Sequence, residues 1–324
     1  MRIKKRHVIA VILFSVLLFV FIPFCLASHE EFLKIKNDIW SKGKRWKAAE
    51  TEISKLPDHE RKRRMGLLKP QALPEIESTE EPSQSSGVTV TPPATFDWRD
   101  FNGKNYVTGV RNQGNCGSCW AFATTAALES NVMIYTGVNA NLAEQILISC
   151  GNAGGCDGGY PTTASSFIRD TGLAAESYYA YTATNGACAN ATAGWQNAAS
   201  RIFSWHYVGN TTNPTLEQIK NELVTYGPLV TTMDVYSDFY YYNGGVYQHT
   251  SGTYQGGHAI LIVGYDDDGQ YFIVKNSWGS NWGESGYFRI DFSELSSTVE
   301  FGDWTLAYYS RITPPTLSIS AISP

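Results

Sequence analysis

The sequence predicts an α+β fold of two lobes, with helix-patterned segments in the first half of its globular region and short β-rich runs in the second. After about Arg201, apolar and alanine-rich stretches give way to runs of β-branched and aromatic residues. Helices followed by strands imply an α+β protein of two lobes. At 324 residues the chain can hold one large domain or two medium ones with extensions. Its 43% hydrophobic content is that of a globular protein.

At the N-terminus, Arg2-Ile-Lys-Lys-Arg6 precedes the apolar run Val8–Phe24, and Cys25-Leu26-Ala27 offers a small residue for cleavage. That order reads as a secretory signal peptide over residues 1–27. The run is short for a membrane span, and Pro23 interrupts its end. No second long apolar run follows, so a soluble product without membrane attachment is expected. Residues 28–72 read as helical: Phe32, Ile35, Ile39, Trp40 and Trp46 lie near helical spacing among many charges, and Gly66 supplies a stop. The Arg61–Arg64 run reads as a solvated helix face, a processing site for a basic-specific protease being the other reading. Residues 73–95, rich in Pro, Glu, Ser and Thr, read as an exposed linker.

In the globular region, Cys119–Tyr135 is alanine-rich and apolar. Leu142–Cys150 follows Asn141, with Glu144 three positions on, a capping-box arrangement. Thr163–Asp170 reads as a shorter helix closed by Gly172. Leu229–Val235, His258–Tyr265, Tyr271–Asn276 and Gly286–Ile290 read as strands, Asp266–Gly269 as a turn, and Thr215–Tyr226 as one interrupting helix. Residues 311–324 form a Pro- and Ser-containing tail with no assigned role.

Charge divides unevenly. Residues 28–91 carry 12 Lys and Arg against 11 Asp and Glu, and only seven of those acids precede Pro74; residues 92–324 carry 9 against 19. A basic front segment before an acidic domain suits an intramolecular partner docking partly by charge. Nucleic acid is excluded as a partner, because the folded part is acidic and lacks a basic stripe.

One of the six cysteines lies inside the signal region. Five in an exported chain make two bridges and one free thiol. Cys116-Gly-Ser-Cys119 admits a redox pair or half a zinc site. Against these stand the absence of a preceding βαβ pattern and of a second Cys/His pair with zinc spacing. The functional alternative is a nucleophile: Cys119 opens a predicted helix, whose unpaired N–H groups and partial positive charge favour a thiolate. Downstream lie Gly257-His258-Ala259 and Lys275-Asn276-Ser277-Trp278-Gly279. His258 alone admits a core histidine, and Asn276 alone a turn cap.

Together with Gln113-Gly-Asn-Cys-Gly-Ser-Cys-Trp120, these segments resemble the papain-like cysteine proteases, over about Pro92 to Ile290. The resemblance implies a papain-like fold with the active site in the cleft between a helical lobe (about 92–200) and an antiparallel β lobe (201–310). It makes residues 28–91 a propeptide with its cleavage linker and 92–310 the catalytic domain; Thr95–Asp100 resembles a mature N-terminus. The long interspersed helix motif of larger propeptides is absent. The pairing implied is Cys116 with Cys156 and Cys150 with Cys188, leaving Cys119 free, and a further bridge of relatives has no cysteine left for it.

By the same resemblance Cys119, His258, Asn276 and Gln113 are the catalytic residues. A thiol near ~8.5 is only a few per cent ionised at neutral pH. A helix terminus supplies roughly 0.3–2 kcal/mol, whereas a pKa of ~3–4 requires about 7 kcal/mol. The expected reactive form is therefore a Cys119 thiolate beside a protonated His258. Asn276 would orient the ring and Trp278 would shield their hydrogen bond. Gln113 and the Cys119 N–H would hold the oxyanion of an acyl-transfer step.

Gly158 and Gly159 resemble the backbone that pairs with an extended peptide. Tyr160, Pro161, Thr232, Gly256 and Ala259 would line an S2 pocket suited to a bulky apolar residue. Gly257 departs from the acidic residue some relatives carry. No histidine-pair insertion between Cys156 and Cys188 blocks the cleft, which favours an endopeptidase. The function expected is hydrolysis of protein or peptide substrates by a monomer made as an inactive precursor, without metal or cofactor. It would be secreted, or held in a lysosome-like compartment. The alternatives are a catalytically silent peptide-binding relative and an acyltransferase with the same Cys–His–Asn chemistry. Asn190 and Asn210 head glycosylation sequons; His206 and His249 are expected to be structural or exposed.

Overall fold

The computed structural model describes residues 29–69 and 91–310; the signal region, most of the linker and the tail lie outside the described residues. In chain order the elements are α1 (29–41), β1 (Trp46–Ala48), α2 (Asp58–Lys62), β2 (Thr95–Asp97), α3 (Cys119–Thr136) and α4 (Glu144–Cys150). A glycine hairpin, β3 (Gly154–Gly155) and β4 (Gly158–Gly159), leads to α5 (Pro161–Asp170). Then come β5 (Ser204–Tyr207), α6 (Leu216–Tyr226), β6 (Leu229–Tyr236), β7 (Tyr242–Tyr247), β8 (Tyr254–Asp266), β9 (Tyr271–Lys275), β10 (Tyr287–Asp291) and β11 (Leu306–Tyr309).

Helix α3 is buried on every side, from Cys119 through Asn131, as its lack of a polar face requires. It packs on α4, α5 and β8, and ends at Gly137, whose φ of 72° suits glycine at a helix C-terminus. Helix α6 carries a full capping box between Thr215 and Gln218. The capping box expected at Asn141 does not form: α4 starts at Glu144 after an extended Ala143 that makes no side-chain cap. The Asn141 side chain instead accepts from the Arg111 guanidinium.

The nine-stranded sheet runs β1-β7-β10-β9-β8-β6-β11-β5, with β2 joined to β8. Within this sheet, among the described residues, β7 and β10 pair in parallel and the other neighbours antiparallel. The helical expectation for residues 28–72 holds in α1 and briefly in α2, but not at Trp46. That residue lies in β1, an edge strand antiparallel to β7, because its indole is buried against Tyr247 and donates to the Thr250 hydroxyl at 3.0 Å. The Arg61–Arg64 run is a solvated face only at Lys62 and Arg63, which are exposed. Arg61 and Arg64 are buried; Arg61 stacks over the Tyr240 ring at 5.2 Å and meets Glu31 at 3.3 Å. Arg45 of the same segment pairs with Asp291 of the larger domain.

Candidate active site

The loop before α3 is fixed by a disulfide between Cys116 and Cys156 and by the Gly117 N–H, which donates to the Cys156 carbonyl at 2.7 Å. A second disulfide joins Cys150, at the end of α4, to Cys188. Cys119 is the free cysteine among the described residues and is fully buried. Its sulfur sits in the first turn of α3. Across the cleft the backbone N–H of Ala259 on β8 donates to Sγ at 3.4 Å, so the neighbouring His258 is carried to the thiol by the strand itself.

The orientation of His258 follows from a chain of donors and acceptors. Asn276 stands just after β9. The Ser277 N–H donates to Asn276 Oδ1 at 2.8 Å, which assigns the oxygen of that amide, since an N–H needs an acceptor. His258 Nε2 lies 2.8 Å from the same oxygen and must therefore carry a proton. That tautomer leaves Nδ1, which has no protein hydrogen-bond partner, as the free base. The Trp278 ring lies 5.0 Å from the imidazole and is itself buried against Trp282 and Phe239, so water is kept from the pair.

Gln113 is held from both ends of its amide. Ser277 Oγ donates to its Oε1 at 2.7 Å, and its Nε2 donates to the Cys116 carbonyl at 2.8 Å. The remaining direction of Nε2 meets the Arg64 carbonyl at 3.1 Å. Ser277 thus orients two candidate residues at once. It carries no expected role in the sequence, although it lies inside the quoted Asn276–Gly279 motif.

Behind the site, buried Lys275 donates to the Thr108 hydroxyl at 3.1 Å, which in turn donates to Glu129 of α3. Burial and the nearby Glu129 push the Glu144 carboxyl up to about 8, so this acid sits protonated against its neighbour.

The cleft is covered by the chain's own N-terminal segment. The Gly159 N–H donates to the Gly66 carbonyl at 2.9 Å, Leu68 donates back to the Gly159 carbonyl at 3.0 Å, and Leu67 donates to the Gly257 carbonyl at 3.1 Å. Leu67 and Gly159 form a parallel bridge. The approach is too close for side chains: a Cβ on Gly66 would lie 1.8 Å from the Gly117 carbonyl oxygen. Leu68 covers Gly158, Met65 covers Gly256 and Leu67 covers Gly257. Of the other expected pocket residues, Tyr160 is partly exposed and Pro161 opens α5. Thr232 is buried with its hydroxyl on the Asp303 carbonyl at 2.8 Å.

Covering the cleft changes its electrostatics. Burial pushes the Cys119 thiol up to about 11, against the pull of the Ala259 and Gly66 N–H groups. Burial pushes His258 down to about 4, against the Asn276 hydrogen bond. The ion pair expected from sequence does not belong to this state: without solvent, the uncharged thiol and imidazole are favoured. His206 and His249 pair with Glu222 and Asp238, away from the cleft chemistry.

Residues 92–300 match the family profile described as papain family cysteine protease. The chain is 38% identical to a cathepsin L-like proteinase of Fasciola hepatica over 205 residues, covering 61% of this chain and 60% of the relative. It is 40% identical to pro-cathepsin H of Bos taurus over 208 residues, with the same shares. The chain thus matches about 60% of the length of these curated relatives. Among solved structures, the digestive procathepsin L2 proteinase from the larval midgut of Tenebrio molitor superimposes with a TM-score of 0.72 at 29% identity, covering 88% of this chain and 90% of that one.

Proposed function

Because the chain belongs to the papain family of cysteine proteases, we propose that it is a cysteine endopeptidase made as a latent precursor, with residues 28–91 as propeptide and 92–310 as catalytic domain. The observation that carries this reading is the cleft itself. A lone buried thiol at a helix start accepts from the Ala259 N–H, next in the chain to a His258 whose free nitrogen is Nδ1, and an amide donor is already engaged on a carbonyl of the covering segment.

In the open state, water returns to the cleft and the desolvation penalty on charge falls, so the proton can pass from Cys119 to His258. The thiolate then attacks a peptide carbonyl while the Gln113 amide and the Cys119 N–H stabilise the oxyanion. His258 protonates the leaving amine, and water activated by the neutral ring releases the acyl group. The Arg64 carbonyl in the covered state stands in for the substrate carbonyl oxygen. Latency then has two parts: residues 64–68 fill the place of a substrate, and their burial of the site suppresses the nucleophile.

Met65 and Leu67 over Gly256 and Gly257 support an apolar preference at P2. A signal-bearing, disulfide-bonded precursor suits a secreted enzyme or one of a lysosome-like compartment. The test is labelling by a thiol-directed epoxide combined with product analysis of a cleaved peptide in the presence of added amine. Modification at Cys119 with hydrolysed products is expected. An unmodified Cys119 identifies a silent peptide binder, and amine-coupled products an acyltransferase.

A further inference from the structure

Lys69 follows the stretch that fills the cleft, and its ammonium lies 2.9 Å from Asp234 and 2.5 Å from Glu300. The Asp234 side chain is only 13% exposed, so this pair is poorly screened. A third carboxylate, Asp303, feels both acids and the lysine and accepts from the Asn213 amide at 2.9 Å. Lys69 is the cation that Asp234 and Glu300 meet among the described residues. One ammonium leaves three carboxylates under-neutralised, and burial together with Glu300 pushes Asp303 up to about 6.

The backbone that presents them is built into the sheet. Asp234 donates its N–H to Val299 at 2.6 Å, and Gly302 donates to the Thr232 carbonyl at 3.1 Å. These bonds fasten the Glu300–Asp303 turn to β6. In register, Asp234 stands opposite Gly257, one residue from His258. The acids therefore line the cleft's edge without touching the thiol–imidazole pair. The occupant seated there, an alkylammonium on an extended peptide, is the chemistry of a lysine-bearing substrate.

We propose that Asp234 and Glu300 form a recognition site for a basic side chain of the substrate, upstream of the cleaved bond, which Lys69 occupies in cis while the cleft is covered. This rests on the peptidase reading of the cleft. Leu67 lies at Gly159 and over Gly257, where the P2 residue is expected, so a position one or two residues further from the bond would supply the cation.

The full-length precursor, allowed to process itself, is assayed on peptides with lysine or norleucine scanned through the second to fourth residues before the cleaved bond. At one position lysine is expected to raise kcat/KM about tenfold over norleucine, and Asp234→Asn with Glu300→Gln should bring that ratio to about one. Equal values for the two peptides at every position in the unsubstituted protein overturn the proposal while leaving the peptidase reading intact. No turnover of either peptide counts against the peptidase reading instead. A second readout then decides, using the unprocessed full chain. Millimolar acetyl-lysine amide should displace Lys69 and speed epoxide labelling of Cys119, whereas acetyl-norleucine amide should not. Equal labelling with both amides overturns the site.

Discussion

The Gln113 amide donates to the Arg64 carbonyl at 3.1 Å, so the group proposed to receive an oxyanion is already engaged by a carbonyl of the same chain. Gln113→Ala removes that donor without disturbing the Cys116–Cys156 bridge. The processed enzyme should lose about 10²–10³ in kcat with little change in KM, equivalent to ~2.7–4 kcal/mol. Steady-state kinetics on one peptide check this. A rise in KM at constant kcat would mean that Gln113 binds the ground state only.

Asn276 should behave differently, because its oxygen serves both the His258 ring and the Ser277 N–H. Asn276→Ala frees the imidazole to rotate and leaves a buried backbone donor unpaired. Activity should fall, and stability should drop by about 1–3 kcal/mol. The two losses separate in a variant that keeps an acceptor, Asn276→Asp. It should restore the melting temperature more fully than the turnover, because a carboxylate also alters the charge beside His258.

The difference between what sequence and structure revealed follows from how each feature is encoded. Cys119, His258, Asn276 and Gln113 stand in short, glycine-marked motifs whose local chemistry is readable without coordinates, and α3 announces itself by apolar residues on all faces. The strand at Trp46 does not, because β1 exists only by pairing with Gly245 and Gly244, far along the chain. The buried state of Arg61 depends likewise on the distant Tyr240 ring. At Asn141, a sound local cap lost to a long-range competitor, the Arg111 guanidinium. Ser277 was within view, but its double use needs the third dimension. So do the acids that meet Lys69.

Closure of the cleft should be linked to pH through His258. Its imidazole falls from the ordinary 6.5 to about 4 on burial, so in Cys119→Ala, where no thiol proton can pass to the ring, the covered state holds fewer protons than an open one between those values. The stability of closure must then rise with pH across the interval and be lost on acidification toward pH 4. Hydrogen–deuterium exchange at residues 64–69 of that variant, corrected for intrinsic rates, should increase by about one to two orders of magnitude from pH 6.5 to 4. His258→Ala should flatten that response. Exchange that stays constant in Cys119→Ala would separate closure from the ring's charge, whereas the unsubstituted chain, which only moves its proton from thiol to ring on opening, should respond less.

Docking of the N-terminal segment should depend on Trp46 far more than on Trp40. Trp46 is 2% exposed, whereas Trp40 is 82% exposed. The first loses its packing on Tyr247 and its bond to Thr250 when truncated; the second loses only surface. Trp46→Ala should cost ~3–5 kcal/mol of docking, which is more than a hundredfold in the population of the uncovered cleft. Epoxide labelling of Cys119 in the full chain should therefore accelerate by at least about 10² in Trp46→Ala and remain unchanged in Trp40→Ala. Equal rates in the two variants would mean that residues 64–69 hold the cleft shut without the help of β1.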